Sequence, residues 1–338
     1  TMTETTSYSR AKHDTALRVR SGISDRSVNG RLWITGTDAL DLLNRLSTNE
    51  LEQLPGGTGI STVLTNGDAR VIDLLDLGAI EQGFWCLTSP ELAQTVVDWL
   101  DLYTFGEEIT VVDLTAETFE IAVVGPAALE TLIGAGASNE DLDVNQLRST
   151  TIAGVNVLIW HKLAGGAEGY ELIGNRDDAL AIISSLEIAR GKVITQSEWE
   201  VYRIANGMPA AGTEFGLFNN PLEARLLGAI SDTKGCYTGQ EVIARLQTYQ
   251  KVQHRLMSVD LTGPVEPGVQ LFSQSTVAGR LTSVSQTDEG NIGLALVNGK
   301  FAEEDLILDV SSDIQPPIRA TLRNPFYAIL TEPRGETT

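Results

Sequence analysis

The stretch Lys234-Gly235-Cys236-Tyr237-Thr238-Gly239-Gln240-Glu241 sets one thiol between two glycines, just ahead of a helix expected from about Gln240. Bracketing glycines point to a backbone conformation that a β-carbon opposes. The positive end of that helix, with the ammonium of Lys234 close by in sequence, favours thiolate, the form of cysteine that binds metal or does redox chemistry. The plainer alternative is a small buried hydrophobe in a glycine-rich turn, the commoner fate of a lone cysteine. Cys86, in GFWCLTS, lies among aromatic and aliphatic neighbours on an expected strand and reads as core. Two distant thiols form no disulfide framework and cannot by themselves ligate a cluster or a structural zinc. His13, His161 and His254 show no HxxxH or HxH spacing, so no self-contained metal site is expected.

Other local fingerprints of chemistry are absent. The chain has no GxxxxGK[ST] loop, no strand-linked GxGxxG, no GxSxG elbow and no HExxH. This argues against nucleotide-driven, dinucleotide-dependent and hydrolase chemistry.

The elements that must position these groups follow from periodicity. Arg31–Ile34 reads as a strand, and Leu40, Leu42, Leu43 and Leu46 form the apolar stripe of a helix over Ala39–Leu46 with Asp38 as its cap. After the turn Pro55–Gly59 come strands at Ile60–Leu64, Arg70–Leu77 and Gly83–Leu87, then a helix over Pro90–Tyr103 capped by Ser89. Strands at Ile109–Asp113 and Thr118–Val124, a helix from Pro126 to Ile133, two strands within 150–174 and a helix over Ala179–Ala189 capped by Asp178 complete an α+β body. From Gln253 the pattern changes to short strands at Leu256–Leu261, Gly279–Val284, Ile292–Val297, Leu306–Val310 and Ile318–Thr321. That spacing predicts a small β-barrel. The domain division is a body over 1–250, of two modules, and a barrel domain over 251–338.

Composition bounds the partners. The 45 acidic and 24 basic residues leave a formal charge of −21. Such a field repels phosphate, so no direct nucleic-acid or membrane partner is expected, and an anionic ligand needs a local basic pocket. Arg245, Lys251, His254 and Arg255 cluster after the cysteine motif; they could steer an anionic ligand or form an ordinary charged surface. Apolar runs such as Val155–Trp160 are too short to span a bilayer. A cytoplasmic location is expected, with the mitochondrial matrix as the alternative, because the Ser/Thr-rich N-terminus carries basic residues but no apolar signal core.

KGCYTGQE matches the signature of the YgfZ-like branch of the glycine-cleavage T-protein superfamily, whose mitochondrial relatives serve iron–sulfur assembly. GTDALDLLNRLSTNEL, LPGGTG, LTNGDARVIDLL, EGYELIG, YRIANGMPAAGTE and AGRLTSVSQ continue the resemblance in order over roughly residues 15–330. The resemblance implies three modules around a central hole and a site for tetrahydrofolate or a one-carbon derivative. It implies that Glu171, in Gly169-Tyr170-Glu171, accepts parallel N–H bonds from the pterin edge, as a carboxylate can. It also implies that Tyr170, Lys234 and Arg203 belong to the binding site, the guanidinium fork of Arg203 suiting a pterin oxygen or a glutamate-tail carboxylate. Without the family, Glu171 reads as an exposed strand residue and Arg203 as the partner of Glu200 or Glu198.

Two departures from the superfamily matter. The tyrosine that stacks near folate is replaced at about Ala164, and the Asp-Asp pair of the VIDDL block is reduced to Asp73 in VIDLL. The functional expectation is therefore a folate-binding accessory protein for assembly or repair of iron–sulfur clusters, including those of tRNA-modifying radical enzymes. Cys236 would be its working group, and iron–sulfur client proteins or assembly factors its partners. The alternative is a folate-dependent aminomethyl- or methyl-transferase with Asp73 at the folate nitrogen. A third reading is a noncatalytic scaffold with a vestigial pocket.

Overall fold

A computed structural model describes residues 20–81, 83–138, 142–310 and 318–327; His13 and the basic N-terminus lie outside them. The first module runs β1 (Gly22–Asp25), β2 (Gly30–Thr35), α1 (Ala39–Leu46), β3 (Gly59–Thr65), β4 (Val71–Ile80), β5 (Gly83–Thr88), α2 (Ala93–Leu102) and β6 (Thr110–Asp113). Strands β3-β4-β5-β2-β6 form one sheet. Leu42, Leu43 and Leu46 of α1 and Val96 and Leu100 of α2 meet Leu32, Ile34, Leu75 and Leu77 in its core. These are the helical and alternating apolar positions of the sequence, buried because each element turns one face inward.

The second module adds β7 (Thr118–Val124), α3 (Ala128–Gly134), β8 (Leu147–Ile152), β9 (Val155–His161), β10 (Gly169–Asn175), α4 (Ala179–Ile188), β11 (Lys192–Val193) and α5 (Gln196–Asn206). Its sheet, β11-β1-β7-β10-β9-β8, takes in β1 from the start of the chain, so the two modules are interlaced. Trp160 of β9 joins them. A Cβ on Gly59 would lie 2.0 Å from the Trp160 ring, and a Cβ on Gly78 3.1 Å from it, so glycine in β3 and β4 lets the indole reach the first sheet.

After α6 (Gln240–Thr248) the chain closes a six-stranded barrel from β12 (His254–Leu261), β13 (Gln270–Ser273), β14 (Thr276–Thr287), β15 (Gly290–Asn298), β16 (Ile307–Val310) and β17 (Arg319–Arg323). Helix α5 docks on it, burying Ile204 and Ala205 against Leu256, Ile292 and Leu294. The protein is thus mixed α+β with a closed C-terminal barrel. A Thr195–Glu198 capping box starts α5, and Gly207 in the left-handed region (φ +71°) ends it.

Several local expectations give way to longer-range bonds. Asp38 makes no side-chain cap on α1, because its Oδ2 accepts from Glu108 N at 2.7 Å. Helix α2 begins only at Ala93, since both the side chain and the N–H of Ser89 are turned to Asp73 and Glu91 turns to φ +64°. Asp178 makes no side-chain cap on α4; Asn175 caps the short turn before it. The region expected to hold two strands, 150–174, holds β9, nearly all of β10 and the second half of β8, because Ala153 and Gly154, both at positive φ, reverse the chain between β8 and β9. In the barrel, β13 is an additional strand.

Candidate functional site

Strand β4 decides which acid faces the ligand space. Asp73, Leu75 and Leu77 turn to one side, where Leu75 and Leu77 enter the helix-covered core. Leu74 and Asp76 turn to the other and line a cavity of about 290 Å³ between the two sheets and α5. Asp73 is fully buried and not among the lining residues. Its Oδ1 accepts from Leu74 N at 2.8 Å and its Oδ2 from Ser89 N at 2.9 Å. Burial pushes its carboxyl up to about 7, against those hydrogen bonds. The carboxylate in the cavity is Asp76, which is ion-paired with Lys162. Sequence reasoning missed both; the signal was an acid three residues past Asp73 and a lysine closing the apolar run VNVLIWHK.

Glu171 projects into this cavity from β10, and its Oε2 is buried without a protein partner. Burial raises its pKa, with Lys162 and Arg26 opposing the shift. Glu120 of β7 lines the same space, and burial and the nearby Glu171 raise its pKa as well. Burial disfavours the charge of Lys162, but Asp76, Glu171 and Glu120 outweigh it and raise its pKa. Lys162 also lies over the Trp160 ring at 5.1 Å. Arg26, stacked on Trp199 at 4.5 Å, completes this mixed-charge wall. Glu120 was legible as the only charge in FEIAVV; Arg26 carried no signal.

Tyr170 borders the cavity, but strand alternation turns its ring to the opposite face from Glu171. There it is buried in the second module's core and stacked on His161 at 4.6 Å. Ala164, where the sequence lacks the superfamily tyrosine, lines the cavity, and its carbonyl accepts from Tyr202 Oη at 2.7 Å.

Arg203 also lines the cavity, with its fork already engaged. Nε and Nη2 donate to Glu200 Oε2, Nη1 to Met208 O and Glu214 Oε2, and Nη2 to Ser283 Oγ. A guanidinium has five N–H donors, and all five are used. Through these bonds Arg203 ties α5 and the 208–214 segment to barrel strand β14 at the edge of the cavity. Of the two sequence candidates for its partner, Glu200 is the one it meets, joined by the fully buried Glu214.

Lys234 and Cys236 lie outside the cavity lining. Lys234 Nζ donates to the carbonyls of Asn44, Ser47 and Asn49, closing the C-terminal end of α1. Burial lowers its pKa to about 8. Its charge is thus committed to a helix end and not to a ligand or to the thiol. Thr238 N donates to Arg45 O at 2.9 Å and Thr65 Oγ1 to Thr238 O at 2.6 Å, pinning the loop to the first module. Of the two bracketing glycines, only Gly239 needs to be glycine: it has φ +85°, and a Cβ there would lie 2.8 Å from Asn66 O. Gly235 faces open space. The Cys236 thiol is exposed, and Cys86 is buried. No group of three or more His, Cys, Asp or Glu that could hold a metal occurs among the described residues.

An interlaced pair of α+β modules with a polar cavity between them and a barrel docked behind defines a T-protein-like class. The GCVT N-terminal domain model matches residues 3–234, and the chain belongs to that family. It is 30% identical over 304 residues to the putative transferase At1g60990, chloroplastic, of Arabidopsis thaliana, covering 86% of this chain and 68% of that one. It is 26% identical over 326 residues to an aminomethyltransferase of Geobacillus sp. (strain WCH70), covering 92% and 88%. The glycine cleavage system aminomethyltransferase T of Bartonella henselae shares the fold at a TM-score of 0.83 and 20% identity, over 92% of this chain and 87% of that one.

Proposed function

We propose that this chain is a tetrahydrofolate-binding accessory protein for the assembly or repair of iron–sulfur clusters, including those of tRNA-modifying radical enzymes. The observation that carries the folate reading is the buried, unpartnered Oε2 of Glu171 in a cavity of the T-protein family. A buried acceptor without a donor is costly, and a pterin edge bears the N–H groups that satisfy it. Glu171 would hold the ring, with Trp199 and Phe215 as apolar walls. Bound tetrahydrofolate supplies carriage of a one-carbon unit.

The iron–sulfur reading rests on Cys236, an exposed thiol on an anchored loop within the KGCYTGQE signature. Aminomethyl transfer is the weaker reading. In VIDLL, Leu74 occupies the second position of the superfamily's Asp-Asp pair and lines the cavity, while Asp73 faces away and Asp76 is held by Lys162. That leaves no uncommitted β4 carboxylate for proton transfer at a folate nitrogen. Iron–sulfur client proteins or assembly factors would be the partners, in the cytoplasm or the mitochondrial matrix.

The test is [4Fe–4S] enzyme activity in cells lacking their own YgfZ-like protein, supplied with this chain or with Cys236→Ala. Rescue by the native chain alone supports the maintenance role and its thiol. No rescue by either folded protein, together with methylene-tetrahydrofolate formation from an aminomethyl donor, moves the function to transfer.

A further inference from the structure

Three polar atoms on the cavity-lining residues lack hydrogen-bond partners: Glu171 Oε2, Glu120 Oε2 and Arg26 Nη1. The β7–β10 ladder pairs Glu171 with Ala122 and Ile173 with Glu120, which makes the two glutamates diagonal neighbours on one face. Both glutamates line the cavity, while Ala122, opposite Glu171, packs against Trp199. Glu120 is only 2% exposed. Its Oε1 already accepts from Asn29 Nδ2 at 2.7 Å, so a proton on this carboxyl resides on Oε2. Arg31 Nη1 lies 3.9 Å from Oε2, and that fork is occupied by Ser27, Asn29, Thr115 and Thr118. Arg26 Nη2 is turned toward Asn29 Oδ1 at 3.4 Å while Nη1 remains free.

An amino-pyrimidinone ring presents three N–H groups, one on N3 and two on the 2-amino group, beside one 4-oxo acceptor. A single carboxylate takes N3–H and one amino N–H in parallel, and leaves the second amino N–H buried without an acceptor. We propose that Glu120 is a second pterin-binding carboxylate, accepting that remaining 2-amino N–H while Arg26 donates to the 4-oxo oxygen, so that binding expels a proton from Glu120. This rests on the folate reading above and goes beyond it, because that reading gives the pterin edge a single carboxylate, Glu171. The charged groups around Glu120 are Arg26, Arg31, Lys162, Asp76 and Glu171. Desolvation and the neighbouring Glu171 keep Glu120 protonated until a donor arrives.

The test is calorimetric titration of 5-formyltetrahydrofolate at pH 7 in buffers of different ionisation enthalpy, with a 2-desamino folate analogue as the second probe. The native protein is expected to release up to one proton with the first probe and none with the second. Glu120→Gln is expected to bind 5-formyltetrahydrofolate at least tenfold more weakly without proton release, and to bind the 2-desamino analogue as the native protein does. Native binding without proton release overturns the proposal while leaving folate binding intact; this arm needs no variant to fold. Proton release that persists in Glu120→Gln assigns the proton elsewhere and also overturns it. No native binding of either probe overturns the proposal together with the folate reading.

Discussion

In the cavity, Glu120, Glu171 and Arg26 each keep a buried polar atom without a hydrogen-bond partner. Around Cys236 the loop's anchoring groups are instead taken up: Lys234 serves three carbonyls, Thr238 bonds to Arg45 and Thr65, and Gln240 Nε2 donates to Gly235 O. Unsatisfied buried groups cost stability and are paid back by a ligand that supplies their partners. A fully bonded loop with an exposed side chain does the reverse, holding one group still where other molecules reach it. The two regions therefore suit different tasks, binding in the cavity and presentation at the loop.

The sharpest way to break this contrast is to remove a charge from the cavity. Lys162→Met strands Asp76, Glu171 and Glu120 without their ammonium. Loss of one partner from a fully buried pair costs about 3–5 kcal/mol, and because both side chains here keep about one-fifth of their exposure, roughly 2–3 kcal/mol is expected in denaturant unfolding. Lys234→Met acts on the loop: three carbonyls lose their donor, and about 1–3 kcal/mol of stability is expected to go. Amide exchange in that variant should rise over 231–240 and at the end of α1, with folate affinity unchanged.

A pH-dependent effect concerns Asp73. Its carboxyl rises from 3.8 to about 7 on folding, so the native state keeps a proton that the unfolded chain releases. Stability from this group therefore falls as pH rises from about 4 to 7, by at most about 1.4 kcal/mol per pH unit, and levels off above. Asp73→Asn stays uncharged, so its melting temperature should fall less between pH 5 and 7 than that of the native protein. Equal slopes would place the carboxyl at an ordinary pKa. The smallest effect is expected from Cys236→Ser, which should leave both folate affinity and melting temperature unchanged.

How much was legible in the sequence tracks how local the cause was. The stripe Leu42, Leu43, Leu46 specifies α1 by itself, and the recurrent short runs after Gln253 specify a barrel. Glu171 could be placed in the site by its motif. Asp76 could not, because the register shift between Leu64 and Thr65 of β3 helps set which β4 side chains face the cavity. The saturation of Arg203 was equally hidden: Ser283 lies 80 residues away and arrives only when the barrel docks. Asp38 and Ser89 looked like helix caps by type, but Glu108 and Asp73, distant in sequence, claim them first.

The central claim is that the cavity, and not the cysteine loop, is the folate site. It is tested most directly by equilibrium titration of 5-formyltetrahydrofolate into the native protein, Glu171→Gln and Cys236→Ser, followed through the fluorescence of Trp199 at the cavity wall. The account predicts saturable binding by the native protein and by Cys236→Ser, with affinity lowered at least about 30-fold in Glu171→Gln, as the loss of charge-assisted bonds implies. Equal affinity in Glu171→Gln, or loss of binding in Cys236→Ser, would contradict it.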